Sequence, residues 1–399
     1  MSESKQTFLI AGGGIGGVAA ALTLAKLGHH VHLFEQASEI KEIGAGIQLG
    51  PNAFYLFEQL QLTDRITAKA AFPDDLVVMD SLSGEEVIAI SAAQLIRKRF
   101  GYPYGLIHRA DLHAIMLEAC EELPQITMHA GCKITDFQDH GDRVTVQMES
   151  GETFDGDALI GADGLWSNVR AKLVNDGPPR VSGHIAYRAV LPVEDVPEAN
   201  RRNAMTLWAG PKNHLVHYPL RGGKLYNLVA VFHSDRYEEG WDSYGDTDEL
   251  NARFQGVVPE VKQMLDKIES WRMWVLCDRE PISDWSQGRV TLLGDAAHPM
   301  LQYLAQGACM AMEDAFCLAR KVNESGGDLP AAFLAYQKAR YLRTARVQLS
   351  ARLYGQVYHA AGATRDLRNA FLRGRTPEQF CEGNAWLYDK NEFLPTLGC

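Results

Sequence analysis

Gly12-Gly13-Gly14-Ile15-Gly16-Gly17 is the stretch on which the reading of this chain turns. Before it, Phe8-Leu9-Ile10-Ala11 reads as a short buried strand. After it, Val18 to Leu27 reads as a helix rich in Ala and Leu. Gly12 can make the tight turn between them. Gly14 has no Cβ and lets a pyrophosphate approach the backbone, and Gly17 lets helix and strand pack closely. Ile15 belongs to the same turn, where free N–H groups and the helix dipole favour an anion. A second strand, Val31-His32-Leu33-Phe34, ends at Glu35. A carboxylate at this spacing accepts hydrogen bonds from a ribose diol and disfavours a 2′-phosphate, so this site excludes NADP.

Two later pieces extend the argument: Gly161-Ala162-Asp163-Gly164 and Gly294-Asp295-Ala296-Ala297-His298-Pro299. Together with the first, and in this order, they describe one extended dinucleotide held along its length, and they point to FAD. Gln6 to Ala25 carries no charge, but glycines crowd its first half and no small-residue cleavage site follows an apolar core. It reads as strand, turn and helix rather than as a membrane span or a targeting segment.

The 399 residues suffice for two or three domains, and 46% hydrophobic with 22% charged residues is ordinary for a globular protein. Thirty-nine Lys and Arg against 50 Asp and Glu give −11, which argues against a nucleic-acid partner. The seven cysteines, Cys120, Cys132, Cys277, Cys309, Cys317, Cys381 and Cys399, show no CxxC spacing. No disulfide framework and no metal site is expected, and a reducing cytoplasm fits.

Along the chain, Gly44 to Asn52 is rich in Gly, and Asn52 is placed to cap a helix over Ala53 to Leu60. Val77 to Ile90 alternates like two strands about Ser83-Gly84. Arg109 to Glu122 reads as a helix. Between Gly183 and Phe232 several strand-like runs lack βαβ spacing, which predicts a mainly antiparallel sheet. Val290 to Leu293 reads as a returning strand. Gly307 to Val322 and Leu329 to Ala351 read as helices, the second with Arg340, Arg343 and Arg346 on an exposed-looking face. The expected class is α/β with α+β character. It comprises a discontinuous Rossmann-like FAD domain (1–72, 98–180 and 272–325), an inserted β-rich substrate domain (73–97 and 181–271) and a helical C-terminal region (326–399).

On these motifs, with Ala162-Asp163-Gly164-Leu165-Trp166-Ser167-Asn168-Val169-Arg170 completing the second, the chain resembles the single-component FAD-dependent aromatic hydroxylases of the 4-hydroxybenzoate hydroxylase class. Order and spacing match from residue 7 to about 350. The resemblance implies non-covalent FAD, NADH and O2 as co-substrates, a small aromatic acid as substrate, and a homodimer. It assigns Arg109 to the FAD phosphates, Asp163 to FAD and the nicotinamide cofactor, Asp295 to the ribityl chain, and the backbone near Pro299 to the flavin. Read alone, Asp163 is a turn residue and Asp295 a helix cap.

Pro299 to Ala308 and Asn213 to Gly223 resemble the branch of the family that hydroxylates 3-hydroxybenzoate para to its hydroxyl, giving 2,5-dihydroxybenzoate. Salicylate and 6-hydroxynicotinate are the competing rings, and an FAD-bound sensor is the non-enzymatic alternative. The chemistry asks for a base near the phenol, because a flavin C4a-hydroperoxide attacks a phenolate faster than a phenol. His214 is the expected base, on the ground of an imidazole pKa near neutral. Gln302 is expected to orient the phenol or the oxygen donor, and Tyr218 to donate to the carboxylate. His214 and Tyr218 are four residues apart and share a strand face, while His217 falls on the other. Arg188 and Arg221 remain open as carboxylate clamps, and Tyr104 as a residue near the flavin.

Overall fold

Thr7–Ala11, Ala158–Gly161 and Val290–Leu292 are short apolar strands buried almost throughout. Strands buried on both faces belong in a parallel sheet covered by helices. The computed structural model, which describes residues 5–40, 45–235 and 244–389, has this arrangement. Glu3, Gly44 and Cys399 lie outside the described residues. The six-stranded sheet runs Ser286–Gln287, Val290–Leu292, Ala158–Gly161, Thr7–Ala11, His30–Glu35, Ile126–Ala130. Every neighbour is parallel except the first pair. The helix Ile15–Lys26 packs against both Arg109–Glu121 and Gly307–Glu324.

The second sheet has seven strands: Arg272–Asp278, Arg180–Pro192, Leu225–His233, Asn213–Leu220, Ala204–Gly210, Asp75–Asp80, Glu86–Ser91. It is antiparallel except where Ala204–Gly210 meets Asp75–Asp80. That parallel join unites the two chain segments assigned to the substrate domain. One boundary moves. Arg272–Asp278 pairs with Arg180–Pro192, so the sheet continues past residue 271, where the sequence pattern returns the chain to the FAD domain. Pairing with a strand about 90 residues away leaves no local sequence mark.

Two further expectations are corrected. The first is the cap at Asn52. The helix begins at Pro51, after Gly50, with no side-chain cap. Proline at the first helical position needs no N–H partner and presets the helical φ. Asn52 is instead buried inside the helix and donates to Gln306 Oε1 at 3.0 Å and Glu313 Oε1 at 2.9 Å. The second is the basic face of the long helix, which extends over Leu329–Tyr358. Arg340 and Arg343 are buried, Arg340 pairing with Glu313 at 2.7 Å and Asp314 at 2.6 Å, and Arg343 with Glu313 at 2.6 Å. Buried charges survive only with such partners, and those partners lie on another helix. Three short helices follow: Gly362–Arg373, Pro377–Gly383 and Ala385–Tyr388. No helix among the described residues is long and apolar enough to cross a membrane.

Candidate active site

The glycine turn is interlocked with the second motif. Gly12 has φ +103°, and a Cβ there would lie 2.3 Å from the Ala162 carbonyl oxygen. A Cβ on Gly17 would lie 1.9 Å from the Gly12 carbonyl oxygen. No side chain fits at either position. Glu35 accepts from the Gly13 N–H at 2.8 Å and the Ala37 N–H at 2.9 Å, which fixes its carboxylate beside the turn. His113, unmarked in the sequence, sets a ring nitrogen 2.6 Å from the Gly13 carbonyl.

Asp163 turns toward its own loop. It accepts from the Ser167 hydroxyl and, at 3.2 Å, from the Val169 N–H, as a turn residue does. Arg170 is fully buried and donates to the carbonyls of Ala296 and Ala297 at 2.9 and 2.7 Å, tying the second motif to the third. Asp314 organises the third: it accepts from the Gly294 N–H at 3.0 Å and sits 2.5 Å from His298 Nε2. His298 is thereby a structural partner of Asp314.

A cleft runs between the two sheets. Gly14, Ile15, Gly16, Arg109 and Asp295 line it on the side of the first sheet, and Leu76, Met205, His214 and Val229 among others from the substrate sheet, its far wall. Of the residues expected in the site, Gly14, Ile15, Arg109, Asp295, His214, Tyr218 and Gln302 face it. Gly12, Gly17, Glu35, Asp163 and Pro299 are not among the residues that line it. The Pro299 carbonyl accepts from Gln348 Nε2 at 3.0 Å, and Met300 takes the wall position. A glycine cradle that admits no Cβ, open beside Gly14 and continued by Arg109 and Asp295, fits a dinucleotide.

At the far wall, Asn213–Leu220 turns His214, Val216 and Tyr218 to the cleft. His217 takes the opposite face, where its Nε2 accepts from Trp208 Nε1 at 3.2 Å. A Cβ on Gly46 would lie 2.6 Å from the Tyr218 ring, so only glycine lets the Gly46–Leu49 strand pass there. Burial holds the Tyr218 hydroxyl protonated by pushing its pKa up.

One premise about His214 does not hold. Burial, and to a lesser degree His184, push its pKa down to about 3, far from an unperturbed imidazole. In the free protein it is a neutral ring. Its Nδ1 lies 2.7 Å from His359 Nε2, and His359 Nδ1 lies 3.0 Å from His233 Nε2. His359, at the end of the long helix, carries no motif and is invisible in the sequence.

The structure also separates the two open arginines. Arg221 forms a bidentate pair with Asp111, at 2.8 and 2.7 Å, away from the cleft. Arg188 lines the cleft. Its Nη2 donates to Gln302 Oε1, its Nε is buried without a partner, and it has no ion pair among the described residues. Burial, opposed by Tyr218 and aided by Arg109, lowers its pKa. A desolvated cation beside a second cation calls for an anion. Tyr104 also lines the cleft, donating to Gln48 Oε1 at 2.6 Å. Tyr354, Tyr358 and Tyr388 line the cleft from the C-terminal helices; the helical region is expected from the sequence, its place on the cleft wall is not.

Comparison with known proteins agrees with this geometry. A family model described as an FAD binding domain matches residues 5–348. The 3-hydroxybenzoate 6-hydroxylase of Polaromonas naphthalenivorans (strain CJ2) is 47% identical over 96% of this chain and 96% of that protein. The 3-hydroxybenzoate 6-hydroxylase of Klebsiella oxytoca is 48% identical, again with 96% of each covered. A salicylate hydroxylase substrate complex superposes with a TM-score of 0.83 at 27% identity, covering 98% of this chain and 97% of that one. With three motifs locked around one cleft and such relatives aligned nearly end to end, the chain belongs to the FAD-binding aromatic hydroxylase family, an enzyme family whose cofactor is FAD.

Proposed function

We propose that this enzyme hydroxylates 3-hydroxybenzoate at the carbon para to its hydroxyl, giving 2,5-dihydroxybenzoate with NADH and O2 as co-substrates. One oxygen atom of O2 enters the ring and the other leaves as water, NADH supplying two electrons. The observation that carries the reading is the strip of Arg188, His214 and Tyr218 on one wall of the cleft, a cation and two polar groups set among apolar residues. The relatives that share this substrate in name align over 96% of the chain.

The roles follow from the atoms. FAD, held by Gly14, Ile15, Arg109 and Asp295, supplies the oxygen-activating chemistry when bound. Arg188 pairs with the substrate carboxylate through Nε and its Nη atoms, and Tyr218 donates to the same group. Gln302, tied to Arg188, positions the ring against the Met300–Ala308 wall. His214 accepts the phenol proton at Nε2, since its Nδ1 is engaged with His359. The anionic substrate raises the basicity that burial removes. The apolar wall of Leu76, Val78, Leu207, Val216 and Val229 excludes water from the reacting ring. A homodimer and a cytoplasmic site complete the reading; all six described cysteines are free.

The test is NADH oxidation by the FAD-loaded enzyme with 3-hydroxybenzoate, salicylate and 6-hydroxynicotinate, each with mass analysis of product. Coupled oxidation with 3-hydroxybenzoate and a 2,5-dihydroxybenzoate product is expected. Turnover confined to another ring rejects the substrate, and no stimulation by any ring rejects the enzymatic reading.

A further inference from the structure

Three histidines meet outside the cleft, from three separate elements. His184 lies in Arg180–Pro192, His233 ends Leu225–His233, and His359 caps Leu329–Tyr358. One ring nitrogen of each lies within 4.8 Å of the other two. The closest pair, His233 Nε2 and His359 Nδ1, are 3.0 Å apart. With metal–nitrogen bonds of about 2.0–2.1 Å, two imidazoles on one tetrahedral ion hold their nitrogens roughly 3.3 Å apart. Small side-chain rotations close the remaining distance to His184.

The outer nitrogens are already engaged. His359 Nε2 meets His214 Nδ1 at 2.7 Å, and His184 Nδ1 meets the Tyr303 hydroxyl at 2.6 Å. Metal-bound imidazoles are held in this way, the second nitrogen fixing the tautomer and the ring plane. Burial keeps the three rings neutral, the form that binds metals: His184 is pushed down to about 4, and His359 well below its ordinary value. Next to His233 in sequence, Ser234 and Asp235 line an open hollow with the acidic Asp246 and Glu249 and with Arg253. Lys212 and Arg253 act on His233 in the opposite sense. The balance favours ions bound by strong imidazole bonds over hard ions bound by charge.

We propose that His184, His233 and His359 form a site for a divalent transition-metal ion of the Zn2+ class, set behind the wall that carries His214. Its consequence for turnover rests on the catalytic role given to His214. A metal on His359 Nδ1 forces the remaining proton onto Nε2, which then donates to His214 Nδ1. His214 must now carry its own proton on Nε2, the atom that faces the substrate, and it can no longer accept there.

The experiment uses FAD-loaded enzyme stripped of metal by chelator dialysis and titrated with Zn2+ by calorimetry. Co2+ serves as a second probe for its visible absorption. One ion per chain is expected, with Co2+ bands of a tetrahedral, nitrogen-rich site. His184→Asn and His233→Asn should each weaken binding by more than about tenfold. His129→Asn, which breaks a histidine pair elsewhere in the molecule, that with His32, should not. Bound-flavin absorbance and melting temperature establish that each variant is folded. Absence of saturable Zn2+ binding overturns the site, as does affinity unchanged in both folded variants. In the wild type, Zn2+ should slow product formation and excess chelator should restore it. His184→Asn, compared with its own metal-free rate, should lose that response. Bound Zn2+ with unchanged turnover overturns the coupling to His214, independently of the binding result.

Discussion

Arg188 lies half-buried on the cleft wall, with its Nε buried and unpartnered and no carboxylate partner among the described residues. Such a cation is costly unless a ligand completes it. Arg188→Met should raise KM for the aromatic acid roughly ten- to a hundredfold, the worth of a charge-assisted hydrogen bond. It should leave FAD bound, as steady-state kinetics and flavin absorbance would show. Arg188→Lys should recover little, because an ammonium cannot copy the planar fork. For His214→Ala, hydroxylation near pH 7 should fall by about 100-fold or more. The deficit should shrink toward pH 10, where a phenol ionises without help (about 10 for a tyrosine phenol). A deficit independent of pH would remove His214 as the proton acceptor. Spacing alone makes the shared face of His214 and Tyr218 readable. The choice between Arg188 and Arg221 is not, because it depends on which partner each meets: Asp111 satisfies Arg221, and among the described residues no carboxylate satisfies Arg188.

At the scale of elements, Asp80 shows how the C-terminal helices are pinned to the substrate sheet. It is fully buried and receives Arg365 at 2.6 Å, Arg368 at 3.0 Å and Asn369 at 2.8 Å, with the N–H groups of Leu82 and Ser83. These partners, against the opposing effect of burial, hold its carboxyl well below the usual range. Asp80→Asn leaves two arginines without their anion and should cost about 3–5 kcal/mol, measured by chemical unfolding near pH 7. The sign of the pH dependence follows from the depressed value. The stabilisation is complete above the unfolded-state value of 3.8 and is lost as pH falls toward the folded one. The gap between wild type and variant should therefore narrow below about pH 4. Strands such as Thr7–Ala11 and Asn213–Leu220 are legible because alternation and apolar runs are local properties. The edge strand Arg272–Asp278 is not, since its partner lies far along the chain; the C-terminal region is legible as helical, but not where its helices dock, which Asp80 decides from the other end of the chain.

Across the whole molecule, the cleft is assembled from both sheets and the C-terminal helices, so FAD should bind the folded enzyme and not the unfolded chain. Removing FAD should lower the melting temperature, and added FAD should restore it in a concentration-dependent way, by about 2.7 kcal/mol at a hundredfold excess over Kd. A melting temperature indifferent to FAD would contradict a preformed cradle. The order of the three motifs makes this architecture readable, because a bound dinucleotide imposes that order. The tail leaves no such trace. It nonetheless reaches the reaction: Tyr388 lines the cleft and packs within 2.7 Å of where a Gly50 Cβ would stand, and Arg343 holds the carbonyls of Trp386 and Leu387 at 2.8 and 3.0 Å. The last described helix is thus a replaceable panel on a fixed frame. Substitutions there can reshape the chamber around the ring while the strip of Arg188, His214 and Tyr218 stays in place. Changes in the ring accepted are therefore expected to track substitutions in Ala385–Tyr388, apart from Gly14, Ile15, Arg109 and Asp295 at the dinucleotide cradle.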